Sequence, residues 1–134
     1  LCAYIGYNEA LAHRIYAGSD LFLMPSRSEP CGLSQMIAMR YGAVPIVRQT
    51  GGLADTVRSC QLGQEDGNGF VFANYSASDM QYVITQAVYL YRTDIHRFRQ
   101  VQKRGMTDDF SWDASAGAYE SLYQHITGQT RSTK

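Results

Sequence analysis

Two short apolar runs, Leu21 to Met24 and Val44 to Val47, constrain this chain more than any other feature of it. Each has the length and continuity of a strand buried in a parallel sheet, where helices cover both faces. Each is followed by a loop and then by helix-forming sequence, the order that produces crossover connections and a parallel sheet. Both loops fall within Ser26 to Asp55, and ligands of open parallel sheets bind beyond the carboxyl ends of the strands. The layout is that of a nucleotide site.

The rest of the chain is read against this centre. Cys2 to Tyr7 is an apolar and aromatic run compatible with a strand. Asn8 is a helix N-cap with Glu9 in the first turn, and the helix runs to about Ala17, with Leu11 and Ile15 on its buried face and Gly18 closing it in the left-handed conformation. After the first buried strand, which ends at Pro25, Pro30 sits at or near the first position of a helix. That helix turns Leu33, Met36 and Ile37 to one side and is closed by Gly42. Pro45 is tolerable near the start of the second strand. Thr50-Gly51-Gly52 turns into a short helical piece, Leu53 to Val57.

Beyond a polar segment, Ser59 to Asn68, lies a short strand, Phe70 to Phe72. Asp66 and Asn68 are oxygen donors beside glycines, but a calcium loop needs more donors and a distal Glu, so a tight turn is expected. Ser78 and Gln81 have capping-box spacing, and Met80, Val83, Ile84, Ala87, Val88 and Tyr91 recur at helical intervals. A more polar helix spans Asp94 to Lys103, ended by Gly105, with the arginines from Arg92 to Arg104 on a solvated face. Ser111 caps a last helix in which Trp112, Ala116, Tyr119, Tyr123 and Ile126 share a face, and core packing is the role expected of Tyr91, Tyr119 and Tyr123. The fold expected is α/β, a Rossmann-like parallel sheet with flanking helices and a helical C-terminal tail. Residues 1–127 form one domain and 128–134 a disordered tail.

Composition removes several classes of function. Twelve basic and twelve acidic side chains are interspersed along 134 residues, so the footprint of a nucleic acid or an anionic membrane is missing. No apolar run approaches the roughly 18 to 20 residues that span a bilayer. Cys2, Cys31 and Cys60 are three cysteines without a Cys-x-x-Cys pair, indicating neither a disulfide framework nor a zinc cluster. His13, His96 and His125 are far apart, and surface or packing roles are expected of them. The chain is expected to be soluble and intracellular. It opens on Leu1 without an initiator Met, and it is expected to be a piece cut from something longer.

At the loops, Cys31-Gly32-Leu33 follow Pro30 where unpaired N–H groups at a helix start favour phosphate, and Gly32 allows a ligand close to the backbone. Thr50-Gly51-Gly52 is a second such cradle with a hydroxyl donor. Two anion cradles at neighbouring strand ends suit a diphosphate. Glu29 at a helix start and Tyr7 at a strand end lie at the same edge. No G-x-G-x-x-G or Walker sequence occurs.

These residues carry a family resemblance. Glu29-Pro30-Cys31-Gly32-Leu33-Ser34-Gln35, Arg40-Tyr41-Gly42, Pro45 and Thr50-Gly51-Gly52-Leu53-Ala54-Asp55-Thr56-Val57 closely resemble bacterial glycogen synthases and plant starch synthases. Tyr7 to Ala10, His13, Gly18 to Asp20 and Phe110 to Trp112 extend the match over nearly the whole chain. The resemblance implies most of the C-terminal, nucleotide-sugar-binding domain of a GT-B glycosyltransferase, a fold of two Rossmann-like domains around a cleft. It implies transfer of glucose from ADP-glucose, with retention, to the non-reducing end of an α-1,4-glucan.

On the same resemblance, Glu29 lies against the donor glucose as the catalytic carboxylate. The backbone of Cys31, Gly32 and Leu33 holds sugar and diphosphate, Thr50, Gly51 and Gly52 bind phosphate, and Tyr7 stacks on adenine. The second acidic residue of the family's Glu-x7-Glu pattern is replaced by Ile37. No metal or other cofactor is implied. The last helix would cross back toward the N-terminal domain, which holds the glucan and, like the family's diphosphate-gripping Arg and Lys, lies outside this chain. The isolated chain is therefore expected to be inactive, and its compartment to be bacterial cytoplasm or plastid stroma. A UDP-glucose-dependent transferase of the same fold and a non-catalytic module binding nucleotide sugar or glucan are the alternatives.

Overall fold

The computed structural model of the chain describes residues 2–60 and 66–128. Its centre is a parallel sheet of three strands, β1 (Leu21–Met24), β2 (Val44–Arg48) and β3 (Phe70–Phe72), in that spatial order. Helix α1 (Glu9–Gly18) precedes β1, α2 (Ser34–Arg40) joins β1 to β2, and α3 (Gly51–Thr56) follows β2. After β3 come α4 (Ala77–Thr93), α5 (Ile95–Thr107) and α6 (Trp112–Thr127).

The apolar continuity of β2 has a direct cause in packing. Val44 and Ile46 face one layer, with Phe70, Phe72, Val83, Ala87, Leu90, Phe98 and Val101. Val47 faces the opposite layer, with Met39, Leu53 and Val57. A strand between two helical layers needs apolar side chains on both of its faces. Pro45 is tolerated in this central strand because β3 begins only at Phe70, opposite Ile46, so no ladder donor is required of Pro45 on that side. Among the described residues, strand β1 has a neighbour on one side only, and its Leu23 is exposed.

Several expectations are corrected. Cys2 to Tyr7 forms no strand; these residues are exposed, with no neighbouring strand among the described residues to pair with. Gly18 is the last residue of α1 rather than a left-handed cap, and Ser19 ends the helix in extended conformation. Leu11 is half-buried but Ile15 is 51% exposed, because α1 turns Leu11, Ala12 and Tyr16 inward, with Tyr16 against Phe22 and Tyr41. Helix α2 starts four residues after Pro30, and its buried face is Gln35, Ala38 and Met39; Leu33 and Ile37 face outward. The N-cap of α4 is Ser76, whose hydroxyl accepts from the Asp79 N–H, so the cap lies two residues earlier than Ser78.

Gly105 does not end α5. It lies buried inside the helix, where a Cβ would stand 3.1 Å from Met39 Cγ, so its missing side chain lets α5 approach α2 closely. Arg104 is not wholly solvated either, its Nε donating to Gly67 O at 2.7 Å. The expected turn near Asp66 is held by Asn68, which is fully buried. Asn68 Oδ1 accepts from Arg58 N–H at 2.7 Å, and its amide donates to Thr56 O at 3.0 Å and to Asp108 Oδ2. That side chain is committed to protein partners. Residues 61–65 of the polar segment and 129–134 of the expected disordered tail lie outside the described residues.

Helix α6 is capped as expected, Ser111 Oγ accepting from Ala114 N–H. It buries nothing against the rest of the chain, however. Tyr119 and Tyr123 are each 62% exposed and Trp112 is 90% exposed, so their shared face is not core. Tyr91 differs, being 37% exposed with its ring edge-on against buried Phe98 at 5.0 Å.

Candidate functional site

The loops after β1 and β2 are in direct backbone contact. Gly52 N–H donates to Pro30 O at 3.2 Å. A Cβ on Gly52 would fall on Cys31 O and 2.6 Å from Cys31 Cα, and one on Gly51 would fall on Glu29 O. The Gly-Gly pair is therefore what lets the second loop lie against the first. Gly51 has a φ of +45° and Gly32 one of +70°, the left-handed region that glycine occupies without penalty.

Three polar side chains fix this arrangement. Arg48, at the end of β2, donates from Nε to Ser26 O at 2.9 Å and from its terminal nitrogen to Arg27 O, while its guanidinium lies 5.7 Å from the centre of the Tyr75 ring. Gln35, fully buried, donates from Nε2 to Gly32 O at 2.8 Å, to Thr56 Oγ1 at 3.0 Å and more weakly to Cys31 O. Thr56 Oγ1 passes the chain on to Gly52 O at 2.7 Å. None of the three is singled out by spacing. A charge ending an apolar run at Arg48 was the one available signal.

Glu29 is half-buried at the mouth of the first loop and accepts from Ser26 Oγ at 3.3 Å. Among the described residues, the N–H groups of Gly32, Leu33 and Ser34 have no protein acceptor, and the Thr50 hydroxyl makes no cap bond to α3. Donors of this kind beside left-handed glycines form an anion-binding concavity. The structure thus brings together Glu29, Cys31, Gly32, Gly51 and Gly52, with Leu33 and Thr50 adjoining. Gly52 differs from its neighbours, since its N–H already serves Pro30. Tyr7 is 91% exposed ahead of α1 rather than at a strand end. Cys31 is an exposed free thiol and Cys60 a buried one.

Residues 2–100 match the family model described as glycosyl transferases group 1. The chain belongs to that family. It is 54% identical over 123 residues to a glycogen synthase of Bacillus cytotoxicus, covering 92% of this chain and 26% of that protein. It is 51% identical over 122 residues to a glycogen synthase of Desulfitobacterium hafniense, covering 91% and 26%. Among solved structures, the catalytic domain of starch synthase IV from Arabidopsis thaliana, bound to ADP and acarbose, matches with a TM-score of 0.80 at 43% identity, over 93% of this chain and 26% of that one. This family member thus spans about a quarter of the length of the relatives it matches.

The family resemblance read from Glu29 to Val57 stands, as does the Rossmann-like sheet of a GT-B glycosyltransferase. No described helix is long and apolar enough to cross a membrane.

Proposed function

We propose that this chain is the donor half of a retaining glucosyltransferase that moves glucose from ADP-glucose to the non-reducing end of an α-1,4-glucan. The observation that carries the reading is the contact between the Glu29–Leu33 loop and the Thr50–Gly52 loop, which puts a carboxylate and a set of unengaged N–H donors at one edge of the sheet. The likeness to a starch synthase bound to ADP and acarbose supports it. In this reading the N–H groups of Gly32 and Leu33, with Cys31 beside them, receive the diphosphate and sugar. Thr50 Oγ1 and Gly51 N–H complete the phosphate cradle, and Gly52 contributes close packing rather than a donor.

Glu29 faces the glucose and stabilises the positive charge that develops as the anomeric bond to the diphosphate breaks. The incoming glucan hydroxyl attacks from the same face and passes its proton to the leaving diphosphate. Catalysis then rests on fixed charges and positioning, with no metal ion called for. Tyr7 is exposed and free to stack on adenine. The acceptor is held by residues outside this chain, so the chain alone is inactive.

A calorimetric titration with ADP-glucose, and UDP-glucose beside it, tests the donor assignment. Selective binding of ADP-glucose supports it, and selective binding of UDP-glucose overturns the nucleotide assigned. In the intact protein Glu29→Gln is expected to slow turnover by about 30- to 1000-fold, the loss typical of one electrostatic contact to a transition state. Unchanged turnover would mean a binding module instead.

A further inference from the structure

Gln35 stands apart from the other polar residues of α2, because it is buried completely while its neighbours Ser34 and Arg40 reach solvent. Its amide has two protons and spends them on three acceptors, Gly32 O at 2.8 Å, Thr56 Oγ1 at 3.0 Å and Cys31 O at 3.4 Å. Thr56 Oγ1 in turn donates to Gly52 O. A continuous polar strut therefore runs from the carbonyl of Gly32 to that of Gly52, joining the two loops underneath the surface that carries the unengaged N–H donors. The amide plane also lies against Gly32, where an added Cβ would stand 2.6 Å from Gln35 Oε1.

Fixing a peptide carbonyl fixes the plane of that peptide, and with it the N–H on its other end. The bond to Gly32 O sets the peptide joining Gly32 to Leu33, so it aims the Leu33 N–H. The bond to Cys31 O does the same for the Gly32 N–H. These are the two N–H groups assigned above to the diphosphate and sugar.

Resting on that assignment, we propose that Gln35 is a positioning residue for the nucleotide-sugar donor, acting with Thr56 as one unit. It does not touch the substrate. It orients the loop amides that do, and it keeps the first loop in register with the Thr50–Gly51 cradle.

The test compares Gln35→Met, which keeps the length and removes both donors, with Thr56→Val, which keeps the shape and removes the hydroxyl, and with the double variant, all in the intact protein. Calorimetry with ADP-glucose and with ADP is run beside steady-state kinetics in which donor and glucan acceptor are varied separately. Each single variant is expected to weaken ADP-glucose binding and raise the donor KM by roughly 3- to 30-fold, the scale of one or two lost hydrogen bonds, with the acceptor KM unchanged. The double variant should lose no more than Gln35→Met alone, because the two residues form one strut.

A purely structural role would lower the unfolding midpoint and leave the donor KM of the folded protein where it was, and that result overturns the proposal. Equal rises in donor and acceptor KM also overturn it. Should Gln35→Met not fold, Thr56→Val decides by the same donor-against-acceptor split. Wild-type protein that binds neither ADP-glucose nor ADP would instead remove the donor-site assignment itself, and the positioning role with it.

Discussion

Adding one methyl group at Gly52 and one at Gly117 should have opposite effects. Gly52 is buried, its N–H is bonded to Pro30 O, and a Cβ there would collide with the backbone of Cys31 at its oxygen and at Cα, 2.6 Å away. A comfortable carbon–carbon contact is about 3.5 to 4.0 Å, so the loops must part by roughly 1 Å. Neither wall is a flexible side chain. Forcing an extra methylene into packing of this kind costs about 1 to 3 kcal/mol, and loss of the Pro30 bond adds about 1 kcal/mol. Gly52→Ala is therefore expected to destabilise the chain by about 2 to 4 kcal/mol. Gly117 lies inside α6 with nothing within 4 Å of its would-be Cβ, so Gly117→Ala should stabilise that helix by about 0.5 to 1 kcal/mol. Denaturant unfolding followed by circular dichroism measures both. A Gly52→Ala protein within about 0.5 kcal/mol of wild type would refute the claim that this glycine is what allows the loops to touch.

Other outcomes follow from particular contacts. Asn68→Ala strands the Arg58 N–H and the Thr56 carbonyl in a buried setting, and should cost about 2 to 4 kcal/mol in the same unfolding assay. Thiol labelling should modify Cys2 and Cys31 in the folded chain and reach Cys60 only on unfolding, with ADP-glucose protecting Cys31 alone. Asp109 has its carboxyl held below the usual carboxylate range by hydrogen bonds from the Ser111 hydroxyl and backbone N–H. Its contribution to the start of α6 is thus present above the carboxyl's unfolded value and disappears as pH falls through the lowered one. An NMR titration of that carboxyl against the Ser111 amide shift should show both moving together at low pH. Trp112, the sole tryptophan, should emit as a fully hydrated indole in the isolated chain and shift to the blue once another surface covers α6.

The sequence disclosed the sheet more readily than the site. The buried strands announced themselves because β2 is covered on both faces and has no room for polar side chains. Both loops were visible because left-handed backbone at Gly32 and Gly51 demands glycine. The polar network binding those loops was not, since a glutamine in a helix of mixed polarity gives no sign that it faces inward. Gly105 was misread for a related reason: a glycine that ends a helix and one that admits a neighbouring helix look alike until the neighbour is present. The aromatic face of α6 was recognised, but periodicity shows only that a face is apolar and not what it meets. Residues 2–7 had the composition of a strand, yet a strand is defined by its partner as much as by its side chains.

The two loops and the struts between them draw on a single contiguous stretch, from Ser26 to Thr56, in which the farthest bridging hydrogen bonds, Arg48 to Ser26 and Gly52 to Pro30, each span 22 positions. Contacts of such short range in sequence close small loops, which cost little chain entropy and form early during folding. The pair of loops therefore behaves as a cassette. It can assemble before β3 completes the sheet, and in the proposed reading substitutions within it act on the diphosphate and sugar, while the base meets Tyr7 outside it.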